Sequence, residues 1–260
     1  MRTIPQPGPM RGVVRTLEVI RALNACSGAR VSELARQTGI PRPSLYRVLE
    51  TLARLGYVRR RDDGERFDLT FQVRALSDGF RDEDWVRSTA LPELEALQRE
   101  IVWPTDIATF YDDAMYLRET TRRNSPLTID TATVGLRLPM LQSATGRAYL
   151  AFCPERERTA IIENLKTSRD ASDKPVRDSR YVGNLLAMTR RKGYGERQGE
   201  IFPKTGAIAV PVMHGQRVAC CLNISYIASA LTPREAAARY LSSLRRTARS
   251  IEAKLSRYPT

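Results

Sequence analysis

The sequence has a single histidine, His214, among 260 residues. A metal site that needs two histidines is therefore excluded, and a Ser-His-Asp triad would depend on one residue in a predicted turn. The four cysteines are not spaced as metal ligands, so we expect reduced, buried thiols. A P-loop, a dinucleotide-binding glycine motif after a strand and a nucleophile elbow are also missing. These absences predict no metal and no cofactor, and they argue against an enzyme.

Long apolar runs are missing as well. No segment approaches the roughly 20 apolar residues that span a bilayer, and the first residues, MRTIPQPGPMRG, lack the apolar stretch of a secretory signal. We therefore expect a cytoplasmic protein. With 42% hydrophobic and 27% charged residues the chain can bury a core, and its length suits one large domain or two ordinary ones.

Arginine is in excess, and it is concentrated near the N-terminus. The net charge is +13, from 42 Lys+Arg against 29 Asp+Glu. Residues 1–61 contain twelve arginines and three acids, which gives +9 and leaves +4 for the rest of the chain. A basic half and a near-neutral half indicate two tasks, although a solvated charged face would give the same count.

Residues 13–69 follow the order of elements of a winged helix-turn-helix. Periodic apolar residues predict helices over 13–24 and 33–38, and a third helix that begins after Pro41 and Pro43 and ends at Gly56. The segments YVRRR and RFDLT predict two strands around the turn DDGE. The apolar stripes that we expect to face the core are Val13, Leu17, Ile20 and Leu23 in the first helix and Leu45, Val48, Leu49, Leu52 and Leu55 in the third.

The outer side of the third helix carries the residues that we expect to read DNA. In a helix-turn-helix this helix enters the major groove of double-stranded DNA, and the residues expected at its leading end are Arg42, Ser44, Tyr46 and Arg47. Arg47 is the best candidate for a bidentate guanine contact. The hairpin adds arginines that we expect to contact phosphates, namely Arg59, Arg60, Arg61 and Arg66. One such module reads a short site, so we expect a palindromic operator and a homodimer or homotetramer.

Residues 77–102 are predicted as two helices, interrupted by Pro92, that link the DNA-binding domain of residues 1–76 to a second domain of residues 103–260. The apolar edge of this linker is also suited to a dimer contact, and it consists of Leu91, Leu94, Leu97 and Ile101. In the second domain, TDIATFY and AMYLRET predict a hairpin, LTIDTATV another strand, and GAIAVPVM and RVACCLNISYIA buried strands. Helices are predicted in SATGRAYLAFC, PERERTAIIENLK and SRYVGNLLAMTRRKGY, and after a capping box formed by Thr232 and Glu235.

These motifs, in this order, resemble the IclR family of bacterial transcriptional regulators. The resemblance rests on SELARQTGIPRPSLYRVLETLARLGYVRR in the first domain and on LPMLQSATGRAYLAF, RKGYGERQGE and AIAVPV with CCLNIS in the second. The segments LSDGFRDEDW and VWPTDIATF look like the branch that controls catabolism of aromatic acids such as hydroxyphenylpropionates. The resemblance implies an α+β protein: a winged helix-turn-helix, a helical linker and a GAF-like α/β effector-binding domain with a largely antiparallel sheet. It also implies a small organic acid as effector.

The resemblance implies which residues of this sequence occupy the family's effector-pocket positions. The loop before a helix matches Ser143, Ala144, Thr145 and Gly146. The family's pair of strand serines matches Asn223 and Ser225, and a position where cysteine is common matches Ala207. An acidic pocket position matches Arg197, which departs from the family and which, as an expected loop arginine, would usually be solvated. Possible apolar walls are Leu138, Met140 and Leu222.

The residues support this pocket in part. A Ser-Ala-Thr-Gly segment at a helix start exposes backbone N–H groups that suit an anion, although a plain N-terminal cap would look the same. Asn223 and Ser225 share one strand face, where a buried polar pair needs structural neighbours or a ligand as partners.

Three functions fit the sequence to different degrees. The first is a DNA-binding regulator of a catabolic operon that responds to an aromatic carboxylic acid. A regulator of the same fold that senses an aliphatic keto or hydroxy acid, and an enzyme with a catalytic second domain, are the alternatives.

Overall fold

In the structure, a computed structural model, the chain folds into two units, with the boundary after Arg81. The first unit consists of helices and a small three-stranded sheet. The structure describes residues 8–26, 28–61, 64–76, 85–129 and 132–256. The helices of the first unit are α1 (Arg11–Asn24), α2 (Val31–Thr38), α3 (Arg42–Arg54) and α4 (Gln72–Ala75). The strands are β1 (Ala29–Arg30), β2 (Val58–Arg60) and β3 (Arg66–Leu69), paired antiparallel in the order β1-β3-β2. This is the predicted winged helix-turn-helix.

Local chemistry explains the turn between α2 and α3. Gly39 ends α2 with φ of 68°, a left-handed conformation that costs glycine little. Pro41 precedes the first helical residue of α3, and Pro43 lies in its first turn, where a missing N–H leaves no hydrogen bond unmade. Residues Asp62 and Asp63 of the predicted hairpin turn lie outside the described residues.

The core of the first unit confirms the second half of the predicted apolar stripe of α1 and all but the last residue of that of α3. The fully buried residues include Leu23, Leu34, Leu45, Leu49, Leu52, Val58 and Phe67. Val13, Leu17 and Leu55 were expected in the core and are 53%, 50% and 63% exposed. The buried residues of α1 all lie in its second half, and Leu55 follows the last residue of α3, so both stripes run past the edge of the core.

A six-stranded antiparallel sheet organises the second unit, with the strand order β6-β5-β4-β9-β8-β7. The strands are β4 (Thr105–Tyr111), β5 (Ala114–Thr120), β6 (Arg137–Leu138), β7 (Gly195–Gln198), β8 (Thr205–His214) and β9 (Arg217–Ile227). The helices are α5 (Leu91–Ile101), α6 (Ala144–Phe152), α7 (Glu155–Thr167), α8 (Ser179–Lys192) and α9 (Pro233–Leu255). The α+β prediction with a largely antiparallel sheet is therefore confirmed.

The two faces of this sheet are covered by different helices. Along β8, Ala207 and Ala209 belong to the apolar cluster that contains residues of α6 and α8. Ile208 and Val210 belong to the cluster that contains residues of α5 and α9. Successive side chains of a strand point to opposite faces, so the sheet is the middle of three layers. Among the helices that the structure describes, none has the length and hydropathy needed to cross a membrane.

Three expectations about the second unit are wrong. The apolar edge of α5 is buried against the sheet and α9 of the same chain, so Leu94, Leu97 and Ile101 offer no free dimer contact. The described residues of LTIDTATV, 127–129 and 132–134, form no strand, and β6 begins only at Arg137. Arg197 lies in β7 rather than in a loop. The part of the predicted linker before Trp85, from residue 77, lies outside the described residues.

Candidate functional site

The outer face of α3 presents polar and basic side chains to solvent. Arg42, Tyr46 and Arg47 are exposed, whereas Ser44 is half-buried and its hydroxyl accepts a hydrogen bond of 3.4 Å from Arg15 Nη1. Leu45 and Leu49 are fully buried on the opposite side and hold the helix against the core. The helix therefore presents two arginines and an aromatic ring without any acidic residue in its first turn.

The hairpin after α3 carries exposed arginines, but part of its charge is balanced within the hairpin. Arg61 donates to both carboxylate oxygens of Asp68, with Nε–Oδ2 and Nη2–Oδ1 distances of 2.6 and 2.9 Å. Arg59 Nε lies 3.9 Å from the same carboxylate, and Arg60 lies over the Phe67 ring at 5.9 Å. Like the exposed Arg59 and Arg60, the half-buried Arg66 belongs to this basic edge.

The second unit contains a cavity whose floor is the sheet face that α6 covers. Strand register places Asp106 opposite Asn223 and Ser225 opposite Ala207, which in turn pairs with Arg197. All five side chains are buried and line the cavity. Three neighbouring strands thus bring Asn223 and Ser225 of β9 together with Ala207 of β8 and Arg197 of β7.

A buried ion pair that the sequence analysis missed forms one end of this floor. Arg122 Nη2 lies 3.1 Å from Asp106 Oδ2 and donates to Ser225 Oγ at 3.1 Å. Asp106 also accepts hydrogen bonds from Thr120 Oγ1 at 2.6 Å and from Asn223 Nδ2 at 2.9 Å. One signal was available, because Asp106 is the only charged residue of the strand TDIATFY and a buried charge requires partners.

The start of α6 forms the roof of the cavity. Ser143 caps the helix: its Oγ accepts from the Gly146 N–H at 3.0 Å and donates to the Pro139 carbonyl at 2.7 Å. Ser143, Ala144 and Thr145 line the cavity, whereas Gly146 does not. A Cβ on Gly146 would lie 2.4 Å from the Met140 carbonyl oxygen, so this glycine permits close packing of the loop.

Arg197 closes the opposite end of the floor. The expectation of a solvated side chain is wrong, since Arg197 is only 3% exposed. Its Nη1 donates to the carbonyl oxygens of Gly199 and Thr205 at 2.6 and 2.8 Å, and its guanidinium lies 5.2 Å from the Phe202 ring centroid. These hydrogen bonds anchor residues 199–204, a segment we call the covering loop, over the cavity.

The covering loop is also tied to α6. Arg147 Nη2 pairs with the Glu200 carboxylate at 2.7 Å, while its Nε donates to the Leu141 carbonyl at 2.7 Å. Glu200 has a φ of 61°, an unusual conformation for a residue with a Cβ. Arg197 and Arg147 therefore both hold the covering loop, whose Ile201 and Phe202 line the cavity.

The cavity combines apolar walls with three buried charged side chains. Its apolar lining consists of Leu117, Leu136, Leu138, Ile201 and Phe202. Met140 and Leu222, expected as walls, are core residues, and Leu222 faces α9 because it precedes Asn223 on the strand. The charged residues of the lining are Arg122, Arg197 and Asp106, and all three are buried. This arrangement suits a small monoanion with an apolar body.

Comparison with known proteins finds a family match for each of the two units. The family model described as Bacterial transcriptional regulator IclR C-terminal matches residues 82–253, and the IclR helix-turn-helix domain matches residues 12–62. The HTH-type transcriptional regulator KdgR of Escherichia coli (strain K12) is 25% identical over 265 residues, which cover 96% of this chain and 94% of KdgR. The Pca regulon regulatory protein of Pseudomonas putida is 25% identical over 250 residues, which cover 94% of this chain and 84% of that protein.

A solved structure has the same fold over both units. It is an IclR homolog from Microbacterium hydrocarbonoxydans complexed with 4-hydroxybenzoate, 22% identical, with a TM-score of 0.60 and coverage of 94% of this chain and 98% of that chain. The first family model alone matches more than half of the present sequence. The chain therefore belongs to the IclR family and is a DNA-binding transcriptional regulator with a helix-turn-helix domain and a C-terminal effector domain.

Proposed function

We propose that this regulator binds a palindromic operator of a catabolic operon, and that a small aromatic carboxylic acid in the cavity of the second unit controls this binding. The observation that carries the proposal is the charge of the cavity wall. The guanidinium groups of Arg122 and Arg197 and the start of α6, at Ser143 and Thr145, line the cavity together with apolar side chains. Guanidinium groups and the backbone N–H groups at a helix start both favour a carboxylate, so the cavity favours a ligand that brings one negative charge.

The ring of the acid would lie against the apolar lining. The cavity has a volume of about 20 Å³, which is room for about one water molecule. An aromatic ring therefore requires the covering loop, with Ile201 and Phe202, to move outward. The IclR homolog that binds 4-hydroxybenzoate has this fold, which supports an acid of that size. A keto or hydroxy acid without a ring would need less displacement, and it belongs in the same binding test.

Calorimetry with benzoate-type and short aliphatic acids tests the effector site. A ligand present at 100 times its dissociation constant adds about 2.7 kcal/mol of stability, so thermal shift can screen the panel first. The variant Arg197→Met keeps much of the side-chain volume but removes the charge, and we expect it to bind the acid at least about tenfold more weakly. Arg217→Met, at the exposed first residue of β9, is the matched control. Equal affinity for wild type and Arg197→Met would place the acid elsewhere.

On the DNA side, α3 would lie in the major groove with Arg42, Ser44, Tyr46 and Arg47 near the bases. We expect Arg47→Ala to lose about 1–3 kcal/mol of discrimination at one base position. Titrations against operators changed at single positions would show this loss. If Arg47→Ala changed neither affinity nor preference, a different face of the unit would read the DNA.

The hairpin arginines would contact phosphates and so contribute to all sequences alike. Replacing exposed Arg59 or Arg60 by alanine should lower the slope of log affinity against log salt by about 1. Arg61 should contribute less, because Asp68 already balances its charge through two hydrogen bonds. Arg66 is half-buried and would act from the same edge. Equal slopes for wild type and the Arg59 variant would exclude that residue from the contact.

Assembly into a homodimer or homotetramer would bring two such units to the half-sites of a palindrome. A single helix-turn-helix reads few bases, and linkage of two raises the affinity through effective concentration. Sedimentation of the full chain with and without operator DNA measures the assembly. A monomer at micromolar concentration with undiminished operator binding would contradict this part of the proposal.

A further inference from the structure

The side chain of Asn223 carries a buried hydrogen-bond acceptor that nothing in the described part of the protein satisfies. Its Oδ1 has no hydrogen-bond partner there, although the residue is only 5% exposed and lines the cavity. Buried polar atoms are nearly always paired, and an orphaned one in a ligand cavity points to a group that the ligand supplies.

The hydrogen bonds of the Asn223 amide nitrogen show that the unpaired atom is the amide oxygen, Oδ1. Asn223 Nδ2 donates to Asp106 Oδ2 at 2.9 Å and to Ser225 Oγ at 3.3 Å. Turning the amide over would place Oδ1 against the Asp106 carboxylate, where two acceptors would face each other. The acceptor therefore faces away from Asp106, and both amide protons are already used.

This geometry also indicates which end of a ligand lies next to Asn223 and which end lies next to Arg197. A carboxylate can only accept hydrogen bonds, so it cannot occupy the position next to Asn223 Oδ1. Arg197 lies two strands away, on β7, and the short side chain of Ala207 on β8 lies between it and Ser225. Two strand spacings amount to about 10 Å, a span that suits a ring with substituents at both ends.

We infer that the effector is a hydroxy acid whose hydroxyl group donates a hydrogen bond to Asn223 Oδ1 while its carboxylate lies towards Arg197. The inference rests on the proposed function, because it assumes an organic acid in this cavity. It adds that the acid must carry a hydrogen-bond donor. An acid of the same shape without a donor leaves Oδ1 buried and unsatisfied, and it therefore binds more weakly.

Ligands that differ only in this donor test the inference on the wild-type protein. The probes are 4-hydroxybenzoate, 4-aminobenzoate and 4-fluorobenzoate with their 3-substituted isomers. At neutral pH all are carboxylates, and the phenol keeps its proton. We expect hydroxyl and amino acids to bind about ten-fold to a hundred-fold more tightly than fluoro acids in calorimetry.

Two variants identify the residue that reads the donor. Asn223→Ser removes Oδ1 but keeps a hydroxyl that can donate to Asp106, so the preference for hydroxyl over fluorine should fall to near one. Arg217→Met, at the exposed first residue of β9 and outside the cavity, is the control and should keep the preference. The measured quantity is a ratio of two affinities for one protein, so a general loss of stability in a variant cancels.

The outcomes separate the inference from the proposal on which it rests. Fluoro acids that bind wild type as tightly as hydroxy acids would overturn the inference but leave the acid site in place. A preference that survives in Asn223→Ser would overturn it too, because another group would then read the donor. Failure of every acid in the panel to bind would refute the proposed effector site, and the inference with it.

Discussion

Removing the buried carboxylate of Asp106 is expected to destabilise the second unit strongly. The Asp106 side chain is 2% exposed, and that of its partner Arg122 is 7% exposed. Asp106→Asn keeps the shape but removes the negative charge that lies 3.1 Å from the buried Arg122 guanidinium. Breaking a buried pair by removing one partner costs about 3–5 kcal/mol. For a domain of this size, each kcal/mol lowers the melting temperature by about 2–4 °C.

The expected result is therefore a fall in melting temperature of about 6–20 °C, which circular dichroism of the full chain measures. The double variant Asp106→Asn with Arg122→Met should recover most of that loss, because a buried ion pair can often be replaced by apolar groups at little cost. Glu100→Gln is the control. Glu100 pairs with Arg246 at the surface, where the side chains are 47% and 61% exposed, and we expect its loss to cost less than about 1 kcal/mol.

The reasoning would be refuted if Asp106→Asn melted no lower than Glu100→Gln. Failure of the double variant to recover stability would show that the hydrogen bonds of Asp106 to Thr120 and Asn223 matter more than its charge. A carboxylic acid ligand should also raise the melting temperature of Asp106→Asn more than that of wild type, because the variant cavity lacks the negative charge of Asp106, which repels a carboxylate.

Three further predictions concern thiol reactivity and the last helix. Burial raises the pKa of the Cys153 thiol to about 11, so iodoacetamide near pH 8 should label exposed Cys26 first, and peptide mass spectrometry showing Cys153 labelled first would contradict this. Thr232→Val removes the hydroxyl that caps α9 and should cost about 1 kcal/mol in a urea titration. The Thr232 backbone N–H lowers the pKa of Glu235, so Glu235 stabilises the protein above its unfolded pKa. This stability is lost as the pH falls through the lower folded pKa, so Glu235→Gln should flatten the acid limb of melting curves between about pH 3 and pH 6.

Elements whose signals are local could be predicted from the sequence. The winged helix-turn-helix followed from the periodicity of α3, the prolines at its start and the alternating strands of the hairpin. Helix ends followed equally well, since Gly39 and Gly193 adopt left-handed conformations after α2 and α8. The cap formed by Ser143 and the capping box at Thr232 were also readable, because they act within three residues of chain.

Predictions that needed the limits of the core were less successful. Val13 and Leu17 continue an apolar stripe that the neighbouring elements do not reach, so periodicity alone could not show that they are exposed. The β-branched residues of 127–134 resemble a strand, but a strand requires a partner edge, and β6 at Arg137–Leu138 pairs there with β5 instead.

The sequence by itself determined the two kinds of domain, the basic face of α3 and the polar pair on β9, because each depends on residues close together in the chain. Only the tertiary structure decided how the cavity is charged. Asp106 meets Asn223 across 117 positions of sequence, and Arg122 reaches Ser225 across 103. Arg197 is buried because β7 joins the sheet beside β8. Strand order and register set these contacts, and they are properties of the assembled sheet that no local pattern specifies.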